Sequence, residues 1–538
     1  MGEVFVRKAS GMVREFSWAH LLAINSFSTV LAIWSVFMLP TLVTVCPSAN
    51  VIASAIIGFF AALPFLFMYW MFSSTMPRSG GDYVYLSRTL LPSIGFILNF
   101  TMALIVIFFN AEWISSALNP ALSNTLLLLG VRTGNAGLIE LASAVTSPLW
   151  VIGIGVVICV IFGILTIVLR PAHIGRFILI LFTIGLVSII PSYILVATKP
   201  QAEIISAINN FATNLGAPEN YYDYVIKTAD LEGMVGSYPQ ISLPDMLSTF
   251  VLPYWVFQWA VFLSSYISGE TKEVKKSQLI GMAGCTGISL IFGLISLLLL
   301  YRVGSHFIHS LSWLYYVMPE SYCIYPAYPG LNFIPLVLID NVPLIVLTGI
   351  GYVIWFVSYV IVTFLAVSRC FFAWAFDRVF PSLFADVHPK FRTPYKAIIL
   401  MVLISVFFIV LYQTGPVFFP MYWTTIPNVI VWVALGIAAV LLPLRKRDVF
   451  EASPVNYRIG RMPLISIVGF VSLIPQLIFL YILCVDPGWV WGGALSWQAG
   501  VLTTATIVVG AIIYFTMKFY RKKKGVDVTL AFKEIPPA

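Results

Sequence analysis

Of the 22 acidic side chains in the sequence, Glu112 and Asp340 fall in long apolar runs, where an ionised carboxylate is costly and marks a functional site by default. Such an acid can carry a proton across a membrane or pair with a solute's ammonium. Glu112 lies about 17 residues, or 25 Å of helix, beyond Gly95, and Asp340 sits nearer the end of its own run. Polar residues interrupt two further runs near their middles. Asn25, Ser26, Ser28 and Thr29 surround Phe27 in one, and Tyr254, Trp255, Phe257 and Gln258 follow Pro253 in the other. Hydrogen-bonding groups at that depth either bond back to the preceding turn or stay available to a polar solute. His306 and His309 are spaced i, i+3, but no Cys, Asp or further His stands at ligand spacing beside them, so no metal is expected. No phosphate-binding Gly loop, nucleophile elbow or zinc-protease motif occurs, so neither an enzyme nor a cofactor is expected.

The elements that would position these residues follow from composition. The 538 residues are 60% hydrophobic and 10% charged, against roughly a quarter charged in soluble proteins. The apolar residues fall into twelve blocks of about 20, each long enough to cross a bilayer core. They run from 17 to 39, 51 to 75, 93 to 117, 148 to 169, 174 to 198, 246 to 268, 279 to 303, 336 to 367, 396 to 413, 420 to 443, 463 to 485 and 498 to 518. The expected fold is therefore all-α and polytopic, with twelve transmembrane spans and the lipid bilayer as its solvent.

Lysines and arginines set the expected orientation. With both termini in the cytoplasm, 26 of the 30 fall on the inner side, leaving Arg132, Lys199, Lys227 and Arg302 outside. This split accounts for most of the net charge of +8 without a nucleic-acid partner. The basic stretch Arg521 to Lys524 reads as an anchor near anionic lipid. The first span is too long for a cleavable signal and lacks a small-residue cleavage site. Two outer loops, 199 to 245 and 304 to 335, are long enough to cover something.

Three inner segments carry a resemblance. PRSGGDYVYLSRTLLPSIGF at 77 to 96, SGETKEVKKSQLIGM at 268 to 282 and SRCFFAWAFDRVFPSLFADVHPKFRTPYKAI at 368 to 398 together closely resemble the amino acid-polyamine-organocation permeases. Where that family has an arginine before the Asp of its third motif, this chain has Phe376. The stretch INSFSTVLAIW at 24 to 34 lacks the family's glycines, and LPYWVFQWAVF replaces its usual opening in span 6.

The resemblance implies a leucine-transporter-like fold of two inverted repeats, with spans 1 and 6 broken near Ser26 to Thr29 and Tyr254 to Gln258 and facing each other across a central cavity. Broken helices free backbone groups for a solute, which is tolerated only where they line a cavity. The implied layout is a cytoplasmic segment 1–16, a first repeat 17–198, an outer loop 199–245, a second repeat 246–443, two added helices in 444–518 and a basic tail 519–538. The implied function is secondary active transport of an amino acid or related organic cation across the plasma membrane by alternating access. Asn25, Ser26, Phe27, Ser28, Thr29, Tyr254, Trp255, Phe257 and Gln258 would bind the substrate, and the aromatic fill would favour an apolar or aromatic body.

Coupling would use H+ or Na+. Span 5 lacks the lysine that some proton-coupled relatives carry there, which leaves Glu112 or a cation held by carbonyls of span 1 with Ser358 and Thr363. In such a fold the loops after spans 1 and 7 approach the outer vestibule, so Cys46 and Cys323 are a disulfide candidate. A membrane sensor or accessory protein that keeps the fold, and a carrier of polyamines or other organic solutes, are the alternative readings.

Overall fold

In lipid every backbone N–H and C=O must find a partner within the protein, and a helix does this locally. The computed structural model describes residues 11–234, 242–415, 422–485 and 497–532, and among them twelve helical segments are long and apolar enough to cross a membrane. Spans 1 to 6 are Trp18–Val36, Val51–Thr75, Pro92–Thr133, Pro148–Val168, Pro171–Thr198 and Leu243–Ser265. Spans 7 to 12 are Val274–Val317, Val342–Phe376, Tyr395–Thr414, Thr425–Arg445, Leu464–Val485 and Gly500–Lys523. The chain is a multi-pass membrane protein. A two-residue hairpin pairs Arg458–Ile459 with Met462–Pro463 between spans 10 and 11. Loop 199–245 contributes two amphipathic helices, Gln201–Asn214 and Tyr221–Leu231, while its residues 235–241 lie outside the described residues.

Burial separates a central set from a shell. Spans 1, 3, 6 and 8 are 83, 78, 89 and 78% buried, whereas spans 4, 9 and 12 are 28, 28 and 11% buried. The runs carrying the polar interruptions and Glu112 are thus central, and spans 4, 9 and 12 form the shell. The first and last described segments meet the bundle at one face, here the terminal face, where Phe16 pairs with Thr271 and Phe532 lies against Arg88. The opposite end is the far face.

Span 1 is broken, one turn later than expected. Trp18–Ser28 is helical, residues 29 to 32 are turns, and the helix resumes at Ile33–Val36 and Met38–Val45. Val30 adopts φ of 45°, a conformation a β-branched residue takes only when its surroundings over-determine it. Here Thr29 Oγ1 donates to the Val256 carbonyl at 2.7 Å, and the Trp34 indole donates to Ser289 at 2.8 Å, pinning both sides of the break.

The expectation for span 6 is corrected. Leu243–Ser265 is one helix through Tyr254 to Gln258. Pro253 removes one backbone donor, but no glycine follows it to take up a left-handed turn, and the large side chains at 254, 255, 257 and 259 are all buried. Span 2 clamps the same stretch: a side chain at Gly58 would come within 2.9 Å of the Tyr254 nitrogen. Ser54 and Thr249 hydroxyls also meet at 2.5 Å across this seam.

The terminal face is sealed by charge. The 77 to 96 stretch is an inner turn by sequence, yet Gly80 and Gly81, at φ of 105° and 45°, fold it back so that the helix Asp82–Thr89 is wholly buried. A side chain at Gly81 would overlap the Tyr266 ring. Arg88 pairs with Asp377 at 2.6 Å, Tyr83 donates to the same carboxylate at 2.8 Å, and the tail's Phe532 ring covers the guanidinium at 4.8 Å. Arg369 grips Glu270 through two bonds of 2.9 and 2.8 Å, with neither side chain exposed. The Glu270 carbonyl in turn accepts the Glu15 and Phe16 amides, tying the N-terminal segment to this latch.

Candidate functional site

The break in span 1 and the middle of span 6 meet at the Thr29 to Val256 hydrogen bond. Among the described residues the buried N–H groups of Leu31 and Ala32 reach no backbone carbonyl, which is the state that an unwound helix creates and a solute's anionic group can use. Buried Ser28 Oγ, both polar atoms of Gln258 and the indole nitrogens of Trp255 and Trp259 also lack a hydrogen-bond partner. An unpartnered polar group at such depth costs free energy unless something else binds it.

Not every residue expected at the site is available to a solute. Asn25 is spent on structure: its amide donates to Ser264 Oγ at 3.1 Å and accepts the Ser264 N–H at 3.1 Å, in a network that continues to Gln278. Ser26 bonds to Cys285 at 3.6 Å. Phe27 packs between Phe182 and Trp355, and Phe257 between Trp34 and Phe59. Tyr254 turns away toward span 11, where its ring meets Phe479 at 5.9 Å. Ser28, Thr29, Trp255 and Gln258 stay close to the break.

A cavity of about 490 Å³ opens in the far half of the bundle. Ile33 and Phe37 from beyond the break, Glu112 and Trp113 of span 3, and Tyr316 and Tyr412 are among its walls. Glu112 is buried, and its Oε2 has no hydrogen-bond partner. Leu252 of span 6 also borders the cavity, and a layer of aromatic side chains packs between the cavity and the Trp255 to Trp259 stretch. Trp113 packs on Phe37, Phe356 and Tyr359, and Phe109 on Trp255 and Trp259. Phe109, Trp113, Phe356 and Tyr359 escaped the sequence reading because aromatic residues at helical spacing look like ordinary core.

Arrangement and sequence agree on the family. A profile of the family described as amino acid permease matches residues 19–513. The chain belongs to that family. No curated protein matches it. Membership points to a transporter of amino acids or related solutes rather than an enzyme, and the match reaches into all twelve of the membrane-spanning segments found among the described residues.

The second coupling candidate is not assembled in this permease. Ser358 and Thr363 are buried with unpartnered hydroxyls, but five helical residues set them about 140° apart around span 8. Ser358 is one turn from Trp355, which meets Phe27 of span 1, whereas Thr363 is one turn from Tyr359, which donates to the Val106 carbonyl of span 3. Asp340 is exposed and paired with Arg132 at 2.9 Å.

The Cys46–Cys323 disulfide is likewise corrected. Both thiols are free: Cys46 bonds to Asp245 at 3.3 Å, and Cys323 lies against Tyr224 at 3.7 Å and the Ser321 carbonyl at 3.3 Å. Burial pushes the Cys46 thiol up to about 11, which keeps it protonated and slow to oxidise. Protein purified without reductant is therefore expected to show both cysteines alkylated on peptide mapping. A Cys46–Cys323 cross-linked peptide would count against this. His306 bonds to Asp230 at 2.9 Å and His309 to the Pro47 carbonyl at 2.9 Å, so the two rings are turned to different partners, and no group of metal-ligating residues occurs among the described residues.

Proposed function

We propose that this permease is a secondary active transporter that moves an amino acid or related organic cation across the plasma membrane by alternating access. The observation that carries the reading is the break at Val30, which leaves the buried Leu31 and Ala32 amides without a backbone carbonyl among the described residues. These amides would take the substrate carboxylate, with Ser28 and Gln258 supplying further hydrogen bonds. Trp255 and Trp259 would form an apolar wall, favouring an apolar or aromatic substrate body. Spans 1–5 and 6–10 would form the two inverted repeats, and the terminal face, rich in Lys and Arg, would be cytoplasmic.

In this cycle the cavity beside Glu112 is the outer vestibule, the aromatic layer is the outer gate, and the Glu270–Arg369 and Arg88–Asp377 pairs are the inner one. Glu112 would carry the coupling proton or meet the substrate ammonium. Sodium held with Ser358 and Thr363 would require span 8 to unwind locally, since the two hydroxyls lie about 140° apart on an intact helix.

Uptake into proteoliposomes, scanned across amino acids and polyamines with a pH gradient, a sodium gradient or neither, tests the proposal. We expect saturable uptake of at least one amino acid, stimulated by one gradient. No uptake of any amino acid, with saturable binding retained, would favour a sensor or accessory protein. The continuous, aromatic-filled span 6 is the observation on that side, because it lacks the second broken helix that rocking would use. Uptake confined to polyamines would point to the carrier of larger amines.

A further inference from the structure

Asp82 is the first residue of the short helix that the terminal face folds inward, and its side chain is fully buried. Among the described residues no basic side chain pairs with it. The charged groups of the same face are matched with one another, Arg88 with Asp377 and Arg369 with Glu270, and Arg445 of span 10 is turned to the carbonyls of Thr89 and Leu90. What surrounds Asp82 is hydroxyl and thiol. Tyr266, at the end of span 6, donates to Oδ2 at 2.8 Å; Tyr69 of span 2 and Tyr85 of the short helix stand close by; and Cys370 of span 8 lies beneath the Gly80 turn. Among the described residues Oδ1 meets no hydrogen-bond donor, and the hydroxyls of Tyr69, Tyr85 and Ser265 have no partner either.

The carboxyl also sits on a seam. The Gly80 amide donates to the Tyr266 carbonyl at 2.9 Å, so the turn and the end of span 6 are bonded through both backbone and side chain. Any movement that opens the terminal face must part them. A carboxylate shut in this seam would be a charge with one hydroxyl donor and no countercharge, cut off from solvent, whereas in the parted seam it would be hydrated.

We propose that Asp82 is a proton-binding latch of the terminal gate, protonated while the seam between the 82–89 helix and span 6 is shut and losing its proton to water when the seam opens. The O–H bond of the carboxylic acid breaks, the proton leaves to solvent at the terminal face, and the carboxylate stays behind hydrated. Gate opening and proton release are then one event.

The electrostatics agree with this placement. Burial pushes the Asp82 carboxyl up to about 7 in the closed protein, only partly offset by the Tyr266 hydrogen bond and the nearby Tyr69 hydroxyl, while a hydrated carboxyl returns toward 3.8. The closed form therefore binds a proton that the open form does not, and it loses stability as pH rises from about 4 to about 7, levelling off above that. Between pH 6 and pH 8 the opening equilibrium is expected to rise about tenfold.

Cys370 reports the seam directly because it is buried beneath it. Full-length protein in lipid nanodiscs is treated with N-ethylmaleimide at pH 6, 7 and 8, and modification of the Cys370 peptide is followed by mass spectrometry in wild type and Asp82→Asn. The ratio of the two rates cancels the thiol's own ionisation. It should rise about tenfold from pH 6 to pH 8, the factor that linkage gives. Tyr266→Phe, which keeps the acid and removes its donor, should move the midpoint to higher pH and decides the matter if Asp82→Asn fails to fold.

The latch rests on the alternating-access reading, and the assay separates the two. Labelling that rises identically with pH in all three proteins would overturn the latch and leave alternating access standing. Cys370 inert in every protein at every pH would overturn the latch, while alternating access stands or falls with the uptake assay.

Discussion

Arg369→Ala is expected to destabilise the permease by about 3–5 kcal/mol, the usual cost of removing one partner of a buried ion pair. The pair with Glu270 is bidentate and wholly shielded, so its loss leaves a carboxylate whose remaining side-chain partner is Ser79 Oγ at 3.4 Å. That carboxylate belongs to the loop whose carbonyl also holds the Glu15 and Phe16 amides, so the damage should spread to the N-terminal segment. Thermal unfolding in a single detergent should show a drop of roughly 5 °C or more. Replacing both residues together by Met should recover most of it, because two apolar groups leave no orphaned charge. A single variant that melts with wild type would show that water reaches the pair and that the terminal face is not sealed there.

Glu112→Gln is expected to abolish accumulation driven by a pH gradient while sparing substrate binding or exchange. Gln has the shape of the protonated acid but cannot release a proton, so one half of a proton cycle is lost. One pH unit drives about tenfold accumulation per proton carried, and that factor should vanish in the variant. Glu112 suits the role in position: it borders the far-half cavity, is buried, and has an oxygen with no protein partner. Counterflow and gradient-driven uptake, measured side by side, separate the outcomes. Loss of binding as well would point to direct contact with a substrate ammonium. Unchanged gradient-driven uptake would sink both roles and turn the search toward a cation near span 8, although Ser358 and Thr363 would then have to be brought onto one face.

Much of the scaffold is legible because lipid imposes a simple rule. Span 2 is expected at 51 to 75 and found at Val51–Thr75, and span 4 ends within one residue of expectation, since apolar blocks of spanning length admit no other structure there. Span 7 was cut short at 303. The helix turns at Gly304 and continues to Val317 through Ser305, His306 and Ser310, polar residues that hydropathy reads as loop but that protein packing accommodates.

The candidate site was legible only in outline. Polar residues at 25–29 marked the right depth in span 1, yet the break fell at residues 29 to 32 because Thr29 bonds across to Val256 and forces the turn onto Val30. Span 6 carried Pro253, a helix breaker in isolation, and remained helical because neighbouring aromatic side chains could be buried only on an intact helix. Asp82, Glu270 and Asp377 read as solvated loop acids by position in the chain. Nothing local distinguishes them from truly exposed acids.

Composition and the spacing of apolar blocks determined by themselves that this is a multi-pass membrane protein, with twelve helices among the described residues long and apolar enough to cross a bilayer, because the cost of an unpaired backbone in lipid depends on how long each apolar run is. The inner motifs determined its family, since they are contiguous in the chain. Only the tertiary structure decided which acids are buried and paired, which of two polar interruptions becomes a break, and that Asp82 is enclosed by tyrosines from span 2, its own helix and the end of span 6. Those outcomes depend on contacts between residues such as Glu270 and Arg369, or Thr29 and Val256, that lie far apart in sequence, and no local pattern records which partner a buried polar group will meet.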